Sequence, residues 1–158
     1  MKLIIIRGKK DSGKTTISSL VCRELIEKKA KKICCEELNK SALIGNKAWD
    51  FASVLDIKGK IVVIISRGDY YDKLKEDMEK YIRDKNPDIM LVCAGLTSHK
   101  TYDMLNQEFK NYMNDRKEFS PKYLDEYNDK NEMIEAKKET AQEIAKYIID
   151  EISKQNEN

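Results

Sequence analysis

Residues 4–21 read IIIRGKKDSGKTTISSLV. An apolar run closes on Arg7, and a polar turn carrying Gly8 and Gly13 follows. From Lys14 onward apolar residues recur at helical spacing, with Ile17, Leu20, Val21, Leu25 and Ile26 on one face. A strand therefore hands over to a helix through a short glycine-bearing loop. The loop Gly8-Lys9-Lys10-Asp11-Ser12-Gly13-Lys14-Thr15 fits G-x-x-x-x-G-K-[ST] at every fixed position. Gly8 and Gly13 allow turns that a Cβ would block and let the backbone approach an anion closely. Successive N–H groups, Asp11 and Ser12 included, then form a nest for phosphate oxygens. The free N–H groups and dipole at the helix start add to the same attraction. Lys14 is placed to reach β- and γ-phosphates, the Thr15 hydroxyl to meet Mg²⁺, and Thr16 to touch an α-phosphate.

Outward from this loop, apolar runs and amphipathic segments alternate. KKICCEEL suggests a short second strand at about 32–36. FASVLDI and KIVVIIS, separated by Lys58-Gly59, suggest a β-hairpin. The run Ile61–Ile65 is apolar on both faces, so it belongs in a sheet covered on both sides and is expected beside the first strand. Residues 70–85 read as a helix stopped by Asn86-Pro87. DIMLVCAG is the last clear strand, and helices follow at 99–113 and about 132–154. Ser120-Pro121 reads as a helix start, and NKSALIGNKAWD (39–50) as a loop with a helical turn. The pattern predicts an α/β fold with a mainly parallel central sheet. It forms a single domain over 1–158 whose C-terminal part, about 99–154, is helical.

Composition narrows the class. Of 158 residues, 37% are charged and 41% apolar, which suits a folded, soluble chain. The net charge of +2 gives no electrostatic argument for nucleic acid. Arg7, Lys9 and Lys10 cut the first apolar run too short for a signal peptide, and no run approaches a membrane span. Cys22, Cys34, Cys35 and Cys93 read as reduced thiols of a cytoplasmic protein. With one histidine and no C-x-x-C, a structural zinc site is not expected.

Over residues 2–29 the chain resembles the P-loop NTPase superfamily. The resemblance implies a three-layer α/β/α P-loop NTPase fold, a nucleoside triphosphate at the carboxyl ends of the strands, and Mg²⁺. It does not choose between kinases, GTPases and ATPases. It also implies an acid at the end of an apolar strand, serving the metal. KIVVIIS continues Ser66-Arg67-Gly68-Asp69, so Asp69 arrives three residues late, and DIMLVCAG ends in no acid. Glu36 and Glu37 are the other candidates, at the second strand. There, small-molecule kinases similar to shikimate and gluconate kinases place metal- or substrate-facing acids. The expected assignment gives Asp69, with Thr15, to the metal and Glu37 to the acceptor. Ser66 is a candidate for the metal's water shell. The plain alternatives are a helix cap for Asp69 and solvated charge for Glu36 and Glu37.

Arg67, at the mouth of a central strand, is placed to steady the transferring phosphoryl group, or else to form a loop ion pair. Arg116, with Lys117 or Lys122, could serve a lid, or simply join two helices. His99 follows the last strand, either near the base or as a helix-start residue. Trp49, Tyr70 and Tyr71 could line an acceptor pocket or belong to the core. Neither NKAWD nor HKTYD is in register for guanine recognition, which favours ATP. Two functions follow as expectations: a small kinase passing the γ-phosphoryl of ATP to a small acceptor, or an ATPase or switch acting on a protein partner.

Overall fold

The computed structural model describes residues 1–10, 12–38, 50–96, 99–121 and 128–157. Among these, six strands form one sheet and four α-helices cover it. In chain order they are β1 (Lys2–Arg7), α1 (Lys14–Glu27), β2 (Lys31–Glu37), β3 (Phe51–Ile57), β4 (Lys60–Ile65), α2 (Tyr71–Lys85), β5 (Ile89–Ala94), α3 (Lys100–Glu108), a 3₁₀ turn (Lys110–Asp115), β6 (Arg116–Phe119) and α4 (Lys130–Glu157). The sheet order is β2-β3-β4-β5-β1-β6. The pairs β4–β5, β5–β1 and β1–β6 are parallel, while β2–β3 and β3–β4 are antiparallel.

The apolar runs of β1, β4 and β5 are unbroken because both faces of those strands are covered. Ile4, Ile6, Leu91 and Cys93 face one side, against Ile17, Val21 and Leu25 of α1 and Ile144, Ile148 and Ile152 of α4. Leu3, Ile5, Val63, Ile65, Met90 and Val92 face the other, against Leu74 and Met78 of α2 and Leu105 of α3. Each fully buried aliphatic side chain contributes about 1.5–3 kcal/mol, so these two clusters are the main stabilising term.

The β3–β4 hairpin closes as its sequence predicts. Lys58 and Gly59 both have positive φ, 54° and 82°, the pair of conformations a two-residue turn of matching twist requires. The Gly59 N–H donates to Asp56 Oδ1 at 2.8 Å. Helix α2 stops at Asn86, left-handed at φ 44°, just before Pro87. Helix α4 starts with a side-chain cap: the Glu132 N–H donates to Asp129 Oδ1 at 2.8 Å, and Glu132 Oε2 reaches back to accept from the Asn128 N–H, one residue before the cap, at 3.1 Å.

Three expectations change. Strand β4 is central but not beside β1, because β5 lies between them. The C-terminal part is not purely helical. Arg116–Phe119, expected as a lid or helix connection, pairs in parallel with β1 as an edge strand, and the helix read as 99–113 ends at Glu108 and continues as the 3₁₀ turn. The second strand is longer than expected, running from Lys31 to Glu37 at the opposite edge. The loop read at 39–50, apart from Asp50, and the helix expected after Pro121 fall outside the described residues.

Candidate functional site

The parallel strands β1, β4 and β5 point their carboxyl ends to one edge of the sheet. There β1 gives way to the glycine loop, β4 to Ser66–Tyr70, and β5 to Gly95 and Leu96. The loop is tied to that edge at its first residue, where the Gly8 N–H donates to Ala94 O at 3.1 Å. It then turns through a Ser12 N–H to Lys9 O bond of 3.2 Å and enters α1 at Gly13, left-handed with φ 86°.

Each glycine leaves room that another group takes. A Cβ on Gly8 would lie 2.3 Å from Ser12 Oγ, and a Cβ on Gly13 would lie 2.5 Å from Lys137 Cε. Ser12 is 2% exposed, and its hydroxyl has no hydrogen-bond partner among the described residues. No side chain caps α1, and no acid stands in its first turn. Among its described residues the loop therefore concentrates donors and positive partial charge and carries no acid. That fits a phosphate group on the grounds of chemistry and shape.

Lys14 is 5% exposed, and its ammonium bends back over its own loop. It donates to Gly8 O at 3.0 Å and Lys9 O at 2.7 Å, and lies 3.3 Å from Asp69 Oδ1. Asp69 does not cap α2: the cap position is Tyr70, and no side chain bonds there. Thr16, half-buried, stands in the first turn of α1. Asp11 lies outside the described residues.

Thr15 is hydrogen-bonded to an acid that the sequence reading considered only for base recognition. Thr15 Oγ1 donates to Asp50 Oδ1 at 3.1 Å, and Ser66 Oγ donates to the same oxygen at 3.4 Å. Asp50 precedes β3, which runs antiparallel to β4, so the start of β3 lies at the same edge as the end of β4. The Phe51 N–H donates to Ser66 Oγ at 2.8 Å and locks the two together. Thr15, Asp50 and Ser66 present the hydroxyl and carboxylate oxygens that a hard cation such as Mg²⁺ takes, with waters and phosphates supplying the rest. Among the described residues no cluster of three or more His, Cys, Asp or Glu forms a dedicated metal cage.

A cavity of about 350 Å³ opens beside the first half of the loop. Its walls are Gly8, Lys9 and Lys10 of the loop, Asp69 and Tyr70 after β4, and Gly95, Leu96 and His99 after β5. Tyr70 is 56% exposed, a large aromatic left open to solvent. His99 is both a wall and the cap of α3, its Nδ1 accepting from the Thr101 N–H at 3.2 Å.

Other predicted residues turn elsewhere. Arg67 is buried, donating to Leu38 O and lying 3.5 Å from Asp77 Oδ2 of α2, and it is not among the cavity walls. Burial raises the Asp77 pKa, and the Arg67 charge opposes that shift. Glu37 ends the exposed edge strand β2, while Glu36 accepts from Lys80 at 2.9 Å and Tyr81 at 2.6 Å. Tyr71 bonds Glu108. Arg116 donates to Asn106 Oδ1 at 2.9 Å, and the Lys117 ammonium lies 5.7 Å from the Phe119 ring centroid. Trp49 and Lys122 lie outside the described residues. Arg7, just before the loop, is held by Glu118 at 2.6 Å and stacks on Tyr102 at 4.2 Å.

Cysteine is free at all four positions, with Cys22 and Cys93 buried and Cys34 and Cys35 exposed. The Cys93 sulfur lies 3.2 Å from Ser18 Oγ. Burial pushes its thiol up to about 12. No helix among the described residues is long and apolar enough to cross a membrane. Compared with protein-family models, curated proteins and solved structures, the chain finds no match.

Proposed function

We propose that the chain is a P-loop phosphotransferase: it binds ATP with Mg²⁺ at residues 8–16 and passes the γ-phosphoryl group to a small acceptor in the adjoining cavity. The carrying observation is the Lys14–Asp69 ion pair at 3.3 Å, which links the phosphate loop to a wall of that cavity. A triphosphate entering the nest draws the Lys14 ammonium from the Gly8 and Lys9 carbonyls to its own oxygens. The Asp69 carboxylate is then free to face the acceptor. The acceptor oxygen forms the new bond to phosphorus as the bond to the ADP oxygen breaks, and its proton passes to Asp69. Mg²⁺ would be held on the Thr15 side with Asp50 and Ser66, and it supplies charge neutralisation on the phosphates. Asp69 thus moves from the metal role to the acceptor role, and Asp50 takes its place; Glu37 and Arg67 drop out of the reaction.

The test is an acceptor screen that reads ADP release and labelled product from ATP, run beside Asp69→Asn. Acceptor-dependent ADP release that Asp69→Asn lowers supports the reading. Steady ATP hydrolysis with no dependence on any acceptor would move it to a hydrolase or switch acting on a protein partner.

A further inference from the structure

Helix α4 packs against α1 on the face of the sheet away from α2, and its Lys137 reaches the phosphate loop. An ideal Cβ on Gly13 would lie 2.5 Å from Lys137 Cε and 2.7 Å from its Nζ. The ammonium therefore occupies the space that the glycine leaves empty. Gly13 has two reasons to be glycine: its left-handed φ and the approach of this side chain.

Lys137 is half-buried, and burial lowers its pKa below the ordinary lysine value. Desolvating an ammonium costs free energy unless an anion or acceptor answers it. Other lysines removed from water have such partners: Lys2 has Glu151 and Asp115, and Lys14 has two carbonyls and Asp69. For Lys137, no ion pair or hydrogen bond exists among the described residues. The helix start it approaches at Gly13 offers backbone N–H donors. The Ser12 hydroxyl is buried and unpartnered, and α1 begins without a capping side chain or an acid in its first turn. A lysine brought against an uncapped helix start is repelled unless an anion comes between them.

We propose that Lys137 is a second phosphate-binding cation, holding a nucleoside polyphosphate from the Gly13 side of the loop while Lys14 holds it from the Gly8 side. This rests on the reading of residues 8–16 as a phosphate site. It makes α4 part of that site, and it favours di- and triphosphates, which span both cations, over a monophosphate.

The experiment is calorimetric titration of the full chain with ATP, ADP and AMP, alongside the melting temperature without ligand. Lys137→Met keeps the stem and removes the charge, Lys137→Arg keeps the charge, and Lys14→Met is the control for the loop. Lys137→Met should melt no lower than the parent and weaken ATP and ADP by about 10- to 100-fold, the worth of one charge-assisted hydrogen bond. Lys137→Arg should hold ATP within about threefold. If Lys137→Met does not fold, Lys137→Arg against Lys137→Gln gives the same comparison. ATP affinity unchanged in Lys137→Met but lost in Lys14→Met overturns this proposal alone. A parent chain that takes up neither ATP nor ADP overturns the phosphate-site reading and this inference with it.

Discussion

Replacing Lys14 by Met separates what the ammonium does for the empty loop from what it does for a nucleotide. The thioether keeps most of the buried stem, so little packing is lost. Without ligand, the change takes the 3.0 Å donor from Gly8 O and the 2.7 Å donor from Lys9 O, which keeps the Ser12 N–H, and it removes the Asp69 partner. A hydrogen bond to a charged group contributes about 1.5–3 kcal/mol. Lys9 is exposed, so water replaces part of that loss, and the one-third exposure of Asp69 discounts the ion pair. The expected loss of stability is about 1–3 kcal/mol, or about 3–10 °C in melting temperature for a chain of this size. With ATP, the ammonium would make two charge-assisted bonds to phosphate, about 3–6 kcal/mol together, less the carbonyl bonds it gives up. The net loss of about 2–3 kcal/mol corresponds to about 30- to 150-fold weaker binding. Differential scanning calorimetry reads the first figure and titration calorimetry the second. A Lys14→Met chain that melts with the parent and binds ATP within threefold of it would refute both halves of the reasoning.

Two further outcomes follow from the acids. Asp50→Asn should reduce the enhancement of ATP binding by Mg²⁺ while holding metal-free affinity within about threefold. Asp69→Asn should leave that enhancement in place and lower phosphoryl transfer by about 10²- to 10⁴-fold. A Mg²⁺ titration in which Asp69→Asn, not Asp50→Asn, loses the enhancement would restore Asp69 to the metal. Stability should also fall in acid. Burial raises the Glu118 pKa, but hydrogen bonds from Arg7 and Tyr102 outweigh it, while Lys154 and Lys2 depress Glu151. Both folded pKa values lie below the ordinary 4.5, so the stabilisation is present above about pH 4.5 and is lost as pH falls through the lower folded values. Urea unfolding between pH 6 and 3 should show this slope, and Glu118→Gln should flatten it; a level parent curve would contradict the assignment.

The sequence carried local features well and distant ones poorly. The glycine loop, the strand before it and the helix after it were legible because spacing and residue type act within a few positions. The hairpin was legible because Lys58-Gly59 determines its own turn. Strand order was not, since nothing local distinguishes β4 from β5 as the neighbour of β1. Strand β6 escaped because Arg116–Phe119 is four residues long and mostly polar, so its strand character comes from pairing with β1. Asp50 escaped for a topological reason. A search for an acid after a strand assumes parallel strands, whereas β3 is reversed and delivers the residue before it to the same edge. A reversed hairpin strand opening with an acid was the available signal. Lys137 gave no signal: only the packing of α4 on α1 brings residue 137 to residue 13.

The cysteines divide the molecule by reactivity. Alkylating reagents take the thiolate, and a thiol held near 12 presents almost none at neutral pH. Cys93, on β5, is also sealed beneath α1, with Ser18 as its neighbour, so reaction there requires the sheet to part from its helices. Cys34 and Cys35, on the exposed edge strand, need no such opening. In one labelling time course the chain thus reports two clocks. A fast pair of adducts counts folded molecules, and slow modification at Cys93 times the rare openings of the core beneath the loop. Any ligand that clasps the loop should slow the second clock and leave the first untouched.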